Sequence, residues 1–228
     1  MPASQVQVGA PSNVSATDGN LYNQLGGKSS EGIVAELHGK YYTQTYRGNC
    51  FMVTTVAAGL AHPIVSTTAP VVALWNPSGS GKNAVLLRYT SASTLNATCV
   101  QGSVFLMAQF NAGNTVATGA VYTAFNRSVL GTNLFNCNLG SGNVSVMNAS
   151  ANGTNTLTAA SVLIVAVMGQ NLPTTAAGAV AAPTSIPGIV YDFDGTVIVP
   201  PGVTVYVAAS SASTALSTQS LSWEEVPI

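Results

Sequence analysis

From residue 50 onward the chain is a succession of short segments rich in Val, Ile, Leu, Thr and Tyr, broken by clusters of Gly, Pro, Asn and Ser. β-Branched and aromatic side chains fit a pleated surface, while Gly, Pro and Asn favour turns. This punctuation predicts strands over residues 51–56, 71–75, 84–89, 103–110, 116–122, 143–147, 161–168, 189–193, 196–199, 203–208 and 220–226. No stretch combines a cap with ten or more residues of helical periodicity. The expected fold is therefore all-β, a jelly-roll-like β-sandwich over residues 49–228.

Two segments differ in pattern. Val203-Thr204-Val205-Tyr206-Val207 alternates with period two, whereas Val162-Leu163-Ile164-Val165-Ala166-Val167 is continuously apolar. The second pattern suits a strand buried on both faces or one in a subunit contact. Asn76-Pro77-Ser78-Gly79-Ser80-Gly81 reads as a hairpin loop leading to Lys82, and Pro200-Pro201-Gly202 as a type-II turn closing another hairpin. Residues 172–187, rich in Ala, Thr and Pro, read as a long loop.

Charge is scarce. Only 6% of the 228 residues are Asp, Glu, Lys or Arg, against about 25% in an ordinary soluble domain. None lies between Arg127 and Asp192. With a formal net charge of −1, copies of the chain repel one another little, which favours association. The first 48 residues hold three of the seven acids (Asp18, Glu31, Glu36) and three of the six bases (Lys28, Lys40, Arg47). This Gly-, Ser- and Asn-rich stretch is expected to be an N-terminal arm, residues 1–48, ordered by docking. Leu37, His38, Lys40, Tyr41, Tyr42 and Arg47 are its candidate contacts with a partner.

Several classes of function find no footing. The six bases are scattered, so no nucleic-acid partner is expected. No apolar run approaches about 18 residues, and the N-terminus lacks the regions of a secretory leader, so no membrane or export role is expected. Cys50, Cys99 and Cys137 suggest neither a disulfide framework nor a zinc site and read as buried thiols. The six N-x-S/T triplets follow from an abundance of Asn, Ser and Thr. No cofactor or metal is expected.

Three features of the sequence bear on catalysis. Val190-Tyr191-Asp192-Phe193-Asp194-Gly195-Thr196 resembles the first motif of haloacid-dehalogenase-like phosphatases, but no Lys follows it. The preferred reading is an Asp-Gly hairpin turn. Gly79-Ser80-Gly81-Lys82-Asn83 lacks the first Gly and the Ser or Thr of a phosphate loop. His38 and His62 assemble no triad. Trp75 and Trp223 read as packing anchors at or near strand ends, with their N–H groups finding partners. Glu224 and Glu225 read as a solvated strand end. The chain is thus expected to have no catalytic residues and not to be an enzyme.

Three stretches carry a resemblance: Gly39-Lys40-Tyr41-Tyr42 through Arg47-Gly48-Asn49, Leu74-Trp75-Asn76-Pro77 through Gly81-Lys82-Asn83, and Val199-Pro200-Pro201-Gly202 through Trp223-Glu224-Glu225-Val226-Pro227. They are similar to a group of tailed-bacteriophage virion structural proteins. The resemblance implies a capsid cement or decoration protein on the capsid surface, present in the host cytoplasm during assembly. It would be a homotrimer bound to the major capsid protein. The alternative is a tail, baseplate or fibre component whose jelly-roll head recognises host glycans.

Overall fold

In a computed structural model of the chain, the segments rich in β-branched and aromatic residues pair into antiparallel sheets. The structure describes residues 6–8, 24–26, 39–46, 48–95, 102–110, 125–127, 145–151, 157, 163–171, 188–212 and 214–228. The chain divides into two compact units, Met1–Tyr42 and Thr43–Ile228. In the first, β1 (Val6–Val8) and β2 (Gln24–Gly26) pair in parallel. A helix of five residues, α1 (Tyr42–Tyr46), follows. The backbone amides of Gly48 and Asn49 then close its end by donating to the carbonyls of Thr45 and Gln44, both at 3.0 Å.

The second unit contains β3 (Cys50–Thr54), β4 (Leu60–Ala61), β5 (Val72–Asn76), β6 (Lys82–Leu95), β7 (Gly102–Phe110), β8 (Phe125–Asn126), β9 (Asn148–Ala151), β10 (Leu163–Asn171), β11 (Ile189–Asp192), β12 (Ile198–Val199), β13 (Val203–Ala209) and β14 (Leu216–Pro227). One sheet runs β11-β6-β14-β3-β8, with β12 also on β6 and β4 on β14; the other runs β10-β7-β13-β5-β9. Every pairing in both sheets is antiparallel. The two sheets pack face to face as a β-sandwich, and the chain crosses between them repeatedly. The predicted strand at 116–122 and the loop at 172–187 lie outside the described residues. In the region predicted as a strand over 143–147, the strand instead begins at Asn148.

Between the sheets lie Phe51, Val53, Leu74, Leu86, Tyr89, Leu106, Val205, Val207, Leu221 and Trp223, all buried. A second cluster, Ala73, Met107, Leu157, Tyr206 and Ala208, covers the other face of the β10-containing sheet. β13 is therefore buried at all seven positions, its alternating Thr204 and Tyr206 included. The continuously apolar segment is instead an edge strand, β10, with Leu163, Ile164, Val165 and Val167 exposed. Burial on both faces, one of its two expected roles, is thus overturned, because position in the sheet outweighs local periodicity.

All three expected hairpins are also corrected. Pro200, Pro201 and Gly202 form a turn of type-II character, with Gly202 at φ 84° and the Val203 amide 3.3 Å from the Pro200 carbonyl. That turn carries the chain from β12 in one sheet to β13 in the other. Residues 77–81 likewise link β5 and β6 across the sandwich. The Asp194-Gly195 turn has both φ angles positive, 50° and 82°, as its sequence requires. Yet β11 and β12 do not pair with each other. They run in the same direction along β6, and the turn is an outward bulge between them.

Candidate assembly surface

Three arrangements of side chains stand out: two buried polar networks and one apolar flank. The networks both begin on β14. Ser217, Gln219, Leu221, Trp223 and Glu225 are buried at alternate positions, with Ser222 buried as well, so a Gln and a Glu share a face with core residues. Buried polar groups need partners, and both have them.

Gln219 lies at one end. Its Nε2 donates to the Leu60 carbonyl at 3.0 Å, and its Oε1 accepts from the Tyr89 hydroxyl at 3.2 Å. The Tyr89 oxygen is 2.8 Å from His62 Nε2. With the Tyr89 proton directed to Gln219, the neutral imidazole carries its own proton on Nε2. Burial pushes the His62 imidazole down to about 4 and the Tyr89 phenol upward. The backbone amide of Gln219 donates to Thr55 Oγ1 at 2.9 Å, tying β14 to the end of β3.

Glu225 lies at the other end, and its side chain is inaccessible to solvent. Its Oε2 is 3.0 Å from Lys82 Nζ, and its Oε1 accepts from Ser145 Oγ at 2.6 Å and the Val146 amide at 3.2 Å. The anticipated solvated Glu-Glu strand end is corrected: Glu225 is a buried clamp, and half-buried Glu224 has its carboxyl raised by desolvation. Nearby, Asn76 Nδ2 donates to the carbonyls of Lys82 and Val199, both at 2.8 Å, and the Asn76 carbonyl accepts from Gly202 at 2.7 Å. One buried Asn thereby binds both crossover loops.

The apolar flank is the side of the sandwich where β10 and β11–β12 are the outermost strands of their sheets. The two edges meet at Gly169 and Ile189, where a Cβ on the glycine would lie 3.1 Å from the isoleucine side chain. At the other end Phe110 pairs with Val203, four residues beyond Val199. Leu163, Ile164, Val165, Val167, Val190, Ile198 and Phe110 are all exposed, but Ile164 and Val167 share the outer face of Met107 and Phe105, whereas Val190 and Ile198 lie on the outer face of the other sheet. Arg88 and Asp192, opposite one another on β6 and β11, form an exposed ion pair.

The sequence candidates are dispersed. Leu37, His38 and Arg47 lie outside the described residues, as do Cys99 and Cys137. Lys40 places its ammonium 5.3 Å from the Tyr41 ring centre, and Tyr42 is exposed. Cys50 is a buried free thiol, raised by desolvation. Trp75 is partly buried on β5. Trp223 is fully buried and stacks on Phe51 at 6.2 Å. It sits inside a twelve-residue strand rather than near its end, and its indole N–H finds no acceptor among the described residues, contrary to expectation. Lys82 is not a free loop lysine but the partner of Glu225. Asp192 is tied to Arg88 and Asp194 is exposed on the bulge, so the two are parts of an edge. No group of three or more His, Cys, Asp or Glu suited to a metal ion occurs among the described residues.

The flank went partly unseen because its strands are 189–199 and 163–171, and only their places at two sheet edges bring them together. The continuous apolar run was its one signal. No protein-family model, curated protein or solved structure matches the chain.

Proposed function

We propose that the chain is a non-enzymatic structural subunit of a virus particle, a cement or decoration protein that binds the capsid shell as an oligomer. The observation that carries this reading is a β-sandwich whose outermost strands on one side carry exposed apolar residues and little charge. Taking β3, β5, β6, β7, β10, β11–β12, β13 and β14 as strands one to eight, one sheet reads 6-3-8-1 and the other 5-4-7-2. With the short strands β4, β8 and β9 set aside, this is the order a double Greek-key jelly roll would give, and that architecture is one of viral capsid and lectin domains among others. Such a fold serves many functions, so the surface carries the choice. A flank with little charge suits a subunit covered by neighbours. The resemblance of the three turn and strand-end stretches to tailed-phage virion proteins points the same way.

In this mechanism the sandwich packs against copies of itself, and the N-terminal unit adds contacts to the major capsid protein, around Lys40, Tyr41 and Tyr42. Immunogold labelling of purified particles tests the reading, with label expected over the shell. Label confined to the tail would replace it with a tail or receptor-binding role.

A further inference from the structure

We propose that residues 56–69 form an acid-released strap, held across one end of the sandwich by the buried His62 imidazole and freed when that ring takes up a proton. The proposal concerns this end of the fold alone and does not depend on the assembly role above. The segment begins where β3 ends. The Gly59 amide turns it by donating to the Val56 carbonyl at 2.9 Å, and Leu60 and Ala61 then lie beside Ser217 and Leu216 of β14. Two residues later the chain has reached the facing sheet. There the Ala209 amide donates to the Pro63 carbonyl at 2.7 Å, and the Val65 amide to the Ala209 carbonyl at 2.9 Å. His62 is thus the one residue between the last anchor on one sheet and the first on the other.

The His62 side chain holds the crossing down. No other side chain of residues 56–69 is buried, and Leu60 and Val65 only partly cover the core on either side. The ring turns inward, 5% exposed, with Nε2 2.8 Å from the Tyr89 hydroxyl oxygen. It faces the Tyr89 phenol from β6 and, behind it, the Gln219 amide from β14, both uncharged. Tyr191 of β11, opposite Tyr89 on the same inner face, is uncharged as well. The other titratable groups of the surrounding strands are turned away or distant. Register places Arg88, Asp192, Cys50 and Glu224 on the outer face, Tyr206 belongs to the outer cluster, and Lys82 and Glu225 meet at the far end of β6 and β14. A neutral imidazole fits this site by donating its Nε2 proton to Tyr89. An imidazolium would be buried with no carboxylate among the described residues to compensate it. Lifting the strap puts the ring in water and breaks few contacts, while β13 and β14 stay paired in their sheets.

Hydrogen–deuterium exchange on the full chain tests this, followed amide by amide between pH 7 and pH 5 and corrected for the intrinsic pH dependence of exchange. The Val65 and Ala209 amides are expected to open more often than those of Gly202 and Glu225, which bond to the Asn76 and Asn49 carbonyls at the other end of the sandwich. With the imidazole near 4 when held and 6.5 when released, the strap's opening constant should rise about twentyfold over that range. In His62→Gln and His62→Met, both neutral, it should not change with pH, and the second variant serves if the first does not fold. Val65 and Ala209 amides as protected as those of Gly202 and Glu225 at every pH would mean that the strap opens only with the whole fold, and would overturn the proposal. A wild-type strap that opens independently of pH, or a neutral variant with the wild-type pH dependence, would overturn His62 as its release.

Discussion

Lys82 and Glu225, separated by 143 residues, meet with Nζ 3.0 Å from Oε2 where β6 begins and β14 ends. The two members differ in exposure. The lysine side chain is 31% accessible, whereas the glutamate is sealed and holds Ser145 and Val146 at the entry to β9. The pair therefore fastens one sheet to the edge of the other. Its energetics hinge on which partner is taken away, since an uncompensated buried charge costs far more than a solvated one.

Lys82→Met is expected to destabilise more than Glu225→Gln. Methionine leaves the carboxylate buried with only two neutral donors, a loss of about 3 kcal/mol. Glutamine keeps an acceptor for Ser145 and Val146, and a partly exposed Lys82 can turn to solvent, for a loss of about 1 kcal/mol. Urea unfolding of both variants and the double variant gives the order and the coupling. The reverse order would show that the lysine, not the carboxylate, is the desolvated charge.

Neither the pair nor the flank could be read from local pattern, while the strands largely could. β3, β5, β7 and β13 begin and end within two residues of expectation, because β-branched composition and Pro, Gly and Asn breaks are local properties. The turn at Pro200-Pro201-Gly202 was legible for the same reason. What it connects was not: a sharp turn has the same sequence whether it returns the chain to its own sheet or passes it to the facing one. β13 and β10 exchanged their expected environments because burial depends on which strands lie beside and over each. Glu225 looked solvated because its partner is 143 residues away.

Asn76 offers a sharper test of the crossover corner. Asn76→Ala removes the donors to the Lys82 and Val199 carbonyls and should cost about 2 kcal/mol. Asn76→Asp, nearly the same shape, aims carboxylate oxygens at those carbonyls and should cost more at neutral pH. Chemical denaturation at pH 7 reads both. Equal stabilities for Asp and Asn would mean that the corner is held by its backbone bonds alone.

Gly169 sets how closely β10 approaches β11. A Cβ there would lie 3.1 Å from two Ile189 carbon atoms, so Gly169→Ala is expected to lose about 1 kcal/mol through overpacking. Combining it with Ile189→Val should return part of that loss, since valine lacks Cδ1, the third crowded atom at 3.2 Å. Thermal melts of the single and double variants check the pair. Additive losses would show that the two strands do not share a contact.

His62 should make the fold acid-sensitive. Its imidazole is held down to about 4 by burial beside the Tyr89 hydroxyl, against an ordinary value of 6.5 in the unfolded chain. The unfolded state therefore takes up a proton first as pH falls. The resulting stability is fully present above pH 6.5, declines between 6.5 and about 4, and levels off below that. At 1.36 kcal/mol per unit the full loss is about 3 kcal/mol. Glu224, raised by desolvation, acts in the opposite sense, because its folded state favours the protonated carboxyl. The comparison must therefore be with His62→Gln, which leaves Glu224 unchanged. Urea midpoints measured from pH 8 to pH 4 should fall more steeply for the wild type than for the variant, with the curves diverging below pH 6.5. Parallel curves would mean that His62 protonates in the folded protein as readily as in the unfolded chain.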